Sequence, residues 1–159
     1  MKYALIGCGR IATNHIKAVL NNGLELVAVC DIVPEHMETL LAKHGLENEA
    51  SILRYTDYRK LLAQHPELEL VAIATESGLH AQIALACIDA GVNVIIEKPI
   101  AMCMADADEI IRRSKEKGVT VCACHQNRFN VAVQKTRQAL EAGRFGRLSH
   151  GSIHVKCMV

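Results

Sequence analysis

Short apolar runs alternate with segments of helical periodicity along most of the chain. Six runs are predicted strands: KYALIG, LELVAVCD, ILRYT, LELVAIAT, VNVIIEK and VTVCACHQ. Most of them are continuously apolar, which is typical of parallel strands that are buried on both faces. Strands that alternate with helices of about 10 to 15 residues indicate right-handed βαβ units. The pattern therefore predicts an α/β fold whose six strands form a doubly wound parallel sheet.

Residues that start or end helices stand between these runs. A predicted helix over residues 11–21 is followed by Gly23, which suits a left-handed C-terminal cap. Pro34 lies in the first turn of the next predicted helix, PEHMETLLAKHG, and Asp57 is predicted to cap YRKLLAQH. The predicted helices GLHAQIALACIDAG and MADADEIIRRSKEKG follow the fourth and fifth strands.

The end of the chain follows a different pattern. RFNVAVQKTRQALEAGRFG predicts an amphipathic helix, and RLSHGSIHVK then alternates in the way typical of an antiparallel strand with one wetter face. Nothing else in the sequence is available to pair with that strand. We therefore expect one domain over residues 1–126, followed in 127–159 by the helix and first strand of an incomplete α/β domain.

Composition argues against several function classes. At 159 residues the chain is about one domain, and its 50% hydrophobic and 22% charged residues argue against disorder. The chain has 18 basic and 17 acidic residues and no run of basic residues, and aromatic residues make up only 3%. Nucleic acid and an anionic membrane surface are therefore not expected partners. No segment has the ~18 to 20 apolar residues of a membrane span.

The seven cysteines predict reduced thiols. Their number is odd, no CxxC pair occurs and the first residues do not resemble a secretion signal, so we expect a cytoplasmic protein. Cys122, Cys124 and His125 are neighbours, but alternate residues of a strand point to opposite faces, which separates His125 from the two cysteines. With no second cluster at ligand spacing, no metal site is expected.

The turn GCGRIA directly follows the first strand and opens the first helix. It has the form Gly7-x-Gly9-x-x-Ala12. In a dinucleotide-binding turn, the first glycine permits the tight bend and the second lets the backbone approach the pyrophosphate, while the third position needs a small residue. The amides of Ile11 and Ala12 would then face the phosphate at the helix start. The alternative is an ordinary strand-to-helix turn that happens to contain two glycines.

Asp31 ends the second strand, 22 positions after Gly9. An acid at this place accepts hydrogen bonds from the adenosine ribose, and it favours NAD because the 2′-phosphate of NADP would meet a like charge. Arg10 complicates this preference, since an arginine beside the crevice can pair with a phosphate. We therefore expect NAD, with NADP possible; the alternative for Asp31 is an aspartate that only starts the next turn.

Two further strands carry polar residues at their carboxyl ends, where ligands of open α/β sheets bind. Thr75, Glu76 and Ser77 follow the fourth strand, although Thr75 or Ser77 could simply cap the next helix, and His80 taken alone is more often structural. Glu97 and Lys98 follow the fifth strand, directly before Pro99. A lysine in a partly desolvated crevice can face a substrate oxygen or act as an acid/base group. Its alternative is a solvated lysine after a strand.

Together these stretches resemble the Gfo/Idh/MocA oxidoreductases, the family of glucose–fructose oxidoreductase and inositol dehydrogenase. The matching residues are ALIGCGRIATNHIKAV, VAVCDI, VAIATESGLHAQIALACIDAGVNVIIEKPIAM and QNRFNVAVQKTRQALEAGRFGRL, and EKP is the most specific of these marks. The run NRFN…GRFGRLSHGSIHVK is most similar to members that oxidise C3 of UDP-N-acetylhexosamines or their uronic acids. A methyltransferase on a similar fold has no place for EKP and QNRF.

The resemblance implies a Rossmann-type domain, hydride transfer between NAD(P) and a secondary alcohol of a sugar or nucleotide sugar, and a homo-oligomer in the full-length form. Lys98 would be the catalytic-site lysine, in contact with the substrate hydroxyl and the nicotinamide ribose. The residues implied for the adenosine half are Gly7, Gly9, Arg10, Ile11 and Asp31. Those implied for the rest of the groove are Thr75, Ser77, His80, Glu97 and Gln126, with Arg128 close by.

The chain also departs from the family pattern. Glu76 stands where a neutral residue is usual, and an extra acid near a pyrophosphate would weaken binding modestly. Family members are roughly twice as long, and their second domain carries a histidine that acts as general base. We therefore expect a truncated chain with poor activity of its own; the alternative is a stand-alone dinucleotide-binding or sensing module without catalysis.

Overall fold

All six predicted strands form, and they make one parallel sheet. The computed structural model describes residues 1–152 and 154. The strands are β1 Lys2–Ile6, β2 Glu25–Cys30, β3 Leu53–Tyr55, β4 Leu70–Ile73, β5 Asn93–Glu97 and β6 Val121–Cys124. Their order in the sheet is β3-β2-β1-β4-β5-β6, and every neighbouring pair is parallel. The chain thus winds outward from β1 and resumes on its other side at β4, so the predicted doubly wound topology is confirmed.

In the described part of the chain, six α-helices connect or follow these strands. They are α1 Ala12–Asn21, α2 Pro34–Lys43, α3 Tyr58–Gln64, α4 His80–Asp89, α5 Met104–Lys117 and α6 Val131–Glu141. Asp57 caps α3 as predicted, because its carboxylate accepts the Arg59 N–H at 2.9 Å. Gly23 follows α1 with a positive φ of 62°, which confirms the predicted left-handed position.

Two helices differ from their predicted extents. The short 3-10 helix Ser77–Leu79 precedes α4, so α4 begins at His80 rather than at Gly78. The predicted helix over residues 128–146 is shorter because the Asn130 side chain caps α6 by accepting the Ala132 N–H at 3.2 Å. A second 3-10 helix, Gln126–Phe129, covers the residues before this cap.

Alternate strand residues face two separate apolar clusters. Ala4 and Ile6 of β1 point to the side of α3, α4 and α5, where Ile83 and Ile110 are fully buried. Leu5 points to the opposite side, among the buried residues of α1 and α2. Full burial of such a side chain contributes about 1.5 to 3 kcal/mol. The two clusters fix α1 directly behind the turn that joins it to β1.

The chain divides into two compact units. The first is Met1–Cys124, which holds the whole sheet and both apolar clusters, and the second begins at His125. Of the predicted strand over 147–156, the described residues 147–152 and 154 are not in a strand, and the rest of that prediction lies outside the described residues. In the part of the chain that the structure describes, no helix combines the length and apolar character needed to cross a membrane.

Candidate functional site

The turn between β1 and α1 holds two glycines with different surroundings. Gly7 has a φ of +95°, and a Cβ there would lie 2.5 Å from the carbonyl carbon of Ala74 and from the amide nitrogen of Thr75. Its own N–H donates to the Cys30 carbonyl at 2.8 Å. Only glycine can occupy this position, where the turn after β1 contacts the residues that follow β4.

Gly9 faces open space. Apart from its chain neighbours, no described heavy atom lies within 4 Å of the position that a Cβ would take. Among the described residues, the amides of Gly9, Arg10 and Ile11 have no hydrogen-bond acceptor. These free donors lie at the N-terminus of a 10-residue helix, a geometry that binds anions such as phosphate.

Ala12 corrects one detail of the sequence-based prediction. Its amide donates to the Gly9 carbonyl at 3.1 Å and is therefore not free to bind a phosphate. The Ala12 side chain is fully buried, so this residue contributes its small size to the packing of α1 against the sheet. A dinucleotide-binding turn requires such a small residue at its third position.

Asp31 is held beside the turn by two backbone amides. Its Oδ2 accepts the Cys8 N–H at 2.7 Å, and its Oδ1 accepts the Val33 N–H at 2.9 Å. Nδ1 of His36 lies 3.2 Å from the same Oδ1. A carboxylate has about four lone-pair positions, and these three partners use two on Oδ1 and one on Oδ2. The fixed Asp31 side chain can therefore still accept a hydrogen bond from a ribose hydroxyl at Oδ2.

A cavity of about 320 Å³ brings several predicted residues together. Gly7, Gly9, Asp31 and Thr75 line it, together with the exposed Glu76. Its other walls include Ile32, Val33, Thr56, Tyr58, Leu79 and Ile83. The cavity therefore combines apolar walls for a flat ring with polar groups at one side, and its volume is within the range of small-molecule sites.

A second cavity of about 280 Å³ lies on the other side of Gly9 and is basic. Arg10, His36 and Lys43 line it, with the hydroxyl-bearing Thr13 and Thr39. Gly9 and His36 border both cavities, and His36 is the basic residue that contacts the Asp31 carboxylate. The sequence singled out Arg10, but it had no signal for His36 or Lys43, which come from α2.

The alternative role of Thr75 or Ser77, capping of the next helix, is not seen among the described residues. The residue before α4 is Leu79, and no side chain caps this helix. The Thr75 hydroxyl instead donates to the Glu76 carbonyl at 3.3 Å, and Thr75 lines the larger cavity. Ser77 begins the preceding 3-10 helix without a capping bond and lines neither cavity.

His80 lies beneath the groove rather than on its surface, which corrects its predicted place. Its side chain is 1% exposed. Nδ1 lies 2.7 Å from the Pro99 carbonyl and Nε2 lies 3.1 Å from the Thr75 carbonyl. The imidazole thus links the turn after β4 to the turn after β5.

Glu97 is also directed away from the cavities. It is 7% exposed, and its Oε1 lies 3.1 Å from Nε2 of the buried His15 on α1. Its Oε2 accepts the Lys98 N–H at 3.4 Å. Burial, the Glu97 charge and a hydrogen bond to Glu97 raise the pKa of the neighbouring Cys124 thiol to about 11. Glu97 therefore joins α1 to the ends of β5 and β6.

Lys98 is exposed at the carboxyl end of β5. Lys98 lies two residues after Ile96, and Thr75 lies two residues after Ile73. Because Ile73 and Ile96 are partners in the sheet, Lys98 and Thr75 follow neighbouring strands at corresponding positions. Lys98 forms no ion pair with any residue that the structure describes. Its ammonium group is therefore available at the same edge as the larger cavity.

Gln126 and Arg128 belong to the second compact unit. Both lie in the 3-10 helix Gln126–Phe129 and are exposed. Their predicted part in cofactor binding stays a prediction.

The thiols near the turn are not arranged as nucleophiles. Burial, then the Asp31 charge, raise the pKa of Cys8 and of Cys30 to about 12. Both thiols therefore stay protonated near neutral pH and act as small apolar groups.

Comparison with known proteins agrees with this geometry. Residues 1–125 match the family described as "Oxidoreductase family, NAD-binding Rossmann fold", GFO_IDH_MocA. Two relatives are a 4-carboxy-2-hydroxymuconate-6-semialdehyde dehydrogenase of Sphingobium, 31% identical over 144 residues, and an inositol 2-dehydrogenase of Salmonella typhimurium, 28% identical over 156. The matches cover 90% and 95% of this chain but 44% and 45% of the relatives.

A solved structure is similar over the same part. The WlbA dehydrogenase from Bordetella pertussis, in complex with NADH and UDP-GlcNAcA, is 36% identical and superposes with a TM-score of 0.82. The match covers 92% of this chain and 43% of that one. The chain thus spans less than half the length of the proteins it matches. It belongs to the Gfo/Idh/MocA oxidoreductases, a family of NAD-dependent enzymes, and residues 1–125 form the family's NAD-binding Rossmann fold.

Proposed function

We propose that this chain binds NAD as the cofactor part of an oxidoreductase that moves a hydride between NAD and a secondary alcohol of a sugar or nucleotide sugar. The observation that carries the proposal is that Gly9, whose amide is free, and the Asp31 carboxylate line one cavity. Asp31 is fixed 2.7 Å from the Cys8 amide, and the free amides of Arg10 and Ile11 follow Gly9 in the same turn. Phosphate and ribose groups need this pair of partners, at the point where the strand order reverses.

The residues present fit the two halves of a dinucleotide. The amides of Gly9, Arg10 and Ile11 would hold the pyrophosphate, and Asp31 would accept a hydrogen bond from the adenosine ribose. The apolar walls of the cavity would hold the adenine ring. When bound, the nicotinamide ring supplies the hydride chemistry, while the protein holds the reactants in position.

Lys98 is the residue that we assign to the substrate. Its ammonium group is a donor at the end of β5, free of any described ion pair, and it can hydrogen-bond the oxygen of the reacting carbon. Its positive charge would stabilise that oxygen as the hydroxyl loses its proton. His80 contacts the Thr75 carbonyl in the turn after β4 and the Pro99 carbonyl in the turn after β5. We therefore assign His80 a positioning role for the two turns.

The substrate class is supported by the relatives. One is an inositol 2-dehydrogenase, and the matched WlbA structure holds UDP-GlcNAcA. We therefore propose a polyhydroxylated substrate, with a nucleotide sugar as the first candidate. Homo-oligomers of a longer form stay a prediction. The described cysteines are all free, which supports our proposal that the protein works in the reducing cytoplasm.

Because the chain spans less than half of its relatives, we propose that it turns over little substrate by itself. A longer protein can supply a further acid/base group and additional substrate contacts. A single positioned proton-transfer group accelerates a reaction by about 10²- to 10⁴-fold. The test is calorimetric titration with NAD and NADP, followed by incubation with NAD and UDP-sugars or inositols while NADH absorbance is recorded. We expect NAD binding with little NADH. Absence of NAD binding contradicts the proposal, and robust turnover contradicts the statement on poor activity.

A further inference from the structure

Three side chains from distant parts of the sequence meet beside the end of β5. They are His15 on α1, Glu97 at the end of β5 and Cys124 at the end of β6. Nε2 of His15 lies 3.1 Å from Oε1 of Glu97, and the nitrogen, carboxylate and sulfur atoms of the three all lie within 4.8 Å of one another. His15 and Glu97 are buried, and Cys124 is half-buried.

The geometry points to a site for one zinc ion, and we propose that His15, Glu97 and Cys124 bind Zn²⁺. Imidazole nitrogen, carboxylate oxygen and thiolate sulfur are the three ligand types that zinc takes from proteins. A neutral imidazole, a carboxylate and a thiolate together carry a charge of about −2, so the loaded site is neutral. Neutrality matters because an uncompensated charge is costly in buried surroundings.

The spacing of the ligand atoms is close to what zinc requires. Zinc bonds of about 2.0 to 2.3 Å at tetrahedral angles place ligand atoms about 3.3 to 3.6 Å apart. The His15–Glu97 separation of 3.1 Å is near this range, and the 4.8 Å limit means that the widest pair must close by at most about 1.2 to 1.5 Å. Three protein ligands leave a fourth position for water. On binding, the Cys124 sulfur forms a bond to zinc and its proton leaves to solvent. The Nε2 proton that His15 donates to Glu97 also leaves to solvent while Nδ1 takes up a proton, so the imidazole stays neutral and Nε2 bonds to zinc.

The competing interpretation is a purely structural hydrogen bond. His15 and Glu97 already satisfy each other, and Cys124 could be only a small neighbour. The two interpretations differ in what Cys124 does. In the zinc site its sulfur is a ligand, whereas in the structural pair its replacement by serine changes little.

Cobalt is the spectroscopic probe, because thiolate bound to Co²⁺ absorbs in the near ultraviolet and four-coordinate Co²⁺ absorbs strongly in the visible. We titrate the tag-free, reduced chain with Co²⁺ and then add Zn²⁺. The variants are Cys124→Ser and, as a matched control on the same strand, Cys122→Ser, whose thiol is exposed and outside the cluster.

We expect one Co²⁺ per chain, with both absorptions present in the wild type and in Cys122→Ser and removed by Zn²⁺. In Cys124→Ser the thiolate absorption is lost. No absorption in the wild type, or an absorption that survives in Cys124→Ser, overturns the proposal.

Thermal unfolding provides a second readout. Zinc at about 100 times its Kd raises the Tm of a chain of this size by about 5 to 10 °C. We expect this shift in the wild type and in Cys122→Ser, and its loss in Cys124→Ser and in His15→Gln. If Cys124→Ser keeps the full shift, zinc binds elsewhere and the proposal is wrong. The zinc-free Tm and circular dichroism of each variant show whether it folds.

The zinc proposal does not rest on the proposed NAD function. None of its three ligands lines either cavity, so NAD titration of metal-free Cys124→Ser should match the wild type. Loss of NAD binding in every sample contradicts the proposed function alone, and loss of the cobalt signal contradicts the zinc site alone.

Discussion

At the scale of single residues, Gly7 and Gly9 have different surroundings, which predicts different effects of an alanine at each position. An alanine at Gly7 places a Cβ 2.5 Å from the backbone after β4 and demands a φ of +95°. We expect Gly7→Ala to lower the free energy of unfolding by about 2 to 4 kcal/mol. An alanine at Gly9 enters open space, so Gly9→Ala should stay within about 0.5 kcal/mol of the wild type.

Cofactor binding separates the same two variants further. The Gly9→Ala methyl group would occupy the space that a pyrophosphate needs, so we expect NAD affinity to fall at least about tenfold. Urea unfolding and NAD titration of both variants provide the check. A Gly9→Ala chain that is fully stable and binds NAD normally contradicts our assignment of the phosphate site.

We predict that Asp31 determines the preference for NAD over NADP. Hydrogen bonds to a charged group contribute about 1.5 to 3 kcal/mol, so Asp31→Asn should weaken NAD binding by about tenfold or more. The affinity for NADP should fall less than the affinity for NAD. The negative charge that would repel the 2′-phosphate disappears, while the basic residues Arg10, His36 and Lys43 remain. The measurement is the ratio of the NAD and NADP affinities. Asp57→Asn is the control, since Asp57 also accepts a backbone amide but lines neither cavity, and its ratio should stay unchanged.

At the scale of elements, continuous apolar runs and capping residues were enough to predict the six strands and most helices. Asp57 and Gly23 act locally, so their neighbours in the sequence reveal them. The start of α4 was misplaced because the 3-10 helix Ser77–Leu79 depends on the turn around His80. That turn needs the Pro99 carbonyl, 19 positions away, and periodicity carries no information about such a contact.

The ion pairs of α5 make a prediction about acid stability. Hydrogen bonds from Arg112 and then Arg113 hold the pKa of Glu109 down to about 2, from an ordinary value of 4.5. The folded state thus favours the ionised carboxylate. Its contribution to stability is fully present above the unfolded value and is lost as the pH falls from about 4.5 toward 2.

We therefore expect Glu109→Gln to show a shallower fall of Tm than the wild type over this pH range. The difference should be small and should shrink in about 1 M salt, because the pair is exposed. Asp108→Asn serves as the control, since Asp108 is an exposed carboxylate on the same helix. Equal slopes for Glu109→Gln and the wild type would contradict the assignment.

At the scale of the whole molecule, the sequence located the candidate site better than it located the side chains within it. Gly7, Gly9, Asp31 and Thr75 meet in one cavity because parallel strands end at one edge. Glu97 was expected in the same groove, but its carboxylate is bonded to His15, 82 positions away. Alternation along a strand shows which face a residue occupies, but only the packing of α1 on that face determines its partner.

The division into two units predicts that the cofactor site survives without the second one. Both cavities, all six strands and both apolar clusters lie within Met1–Cys124, so a chain ending at Cys124 should fold cooperatively. Gln126 and Arg128 are absent from it. Our prediction that they contact the cofactor implies the loss of one or two hydrogen bonds, each worth about 0.5 to 1.5 kcal/mol, and therefore an NAD affinity lower by about 2- to 150-fold.

A double variant of the full chain, Gln126→Ala with Arg128→Ala, removes the two side chains but keeps the second unit. It therefore distinguishes an effect of these side chains on NAD affinity from an effect of removing the whole unit. We expect it to reproduce the weaker NAD affinity of the shortened chain, while Arg147→Ala, a change at an exposed arginine of the same unit, leaves the affinity unchanged. Circular dichroism, thermal unfolding and NAD calorimetry on the four chains provide the check. A shortened chain that binds NAD as tightly as the wild type removes Gln126 and Arg128 from the cofactor site. A shortened chain that does not fold shows instead that the sheet depends on the residues after Cys124.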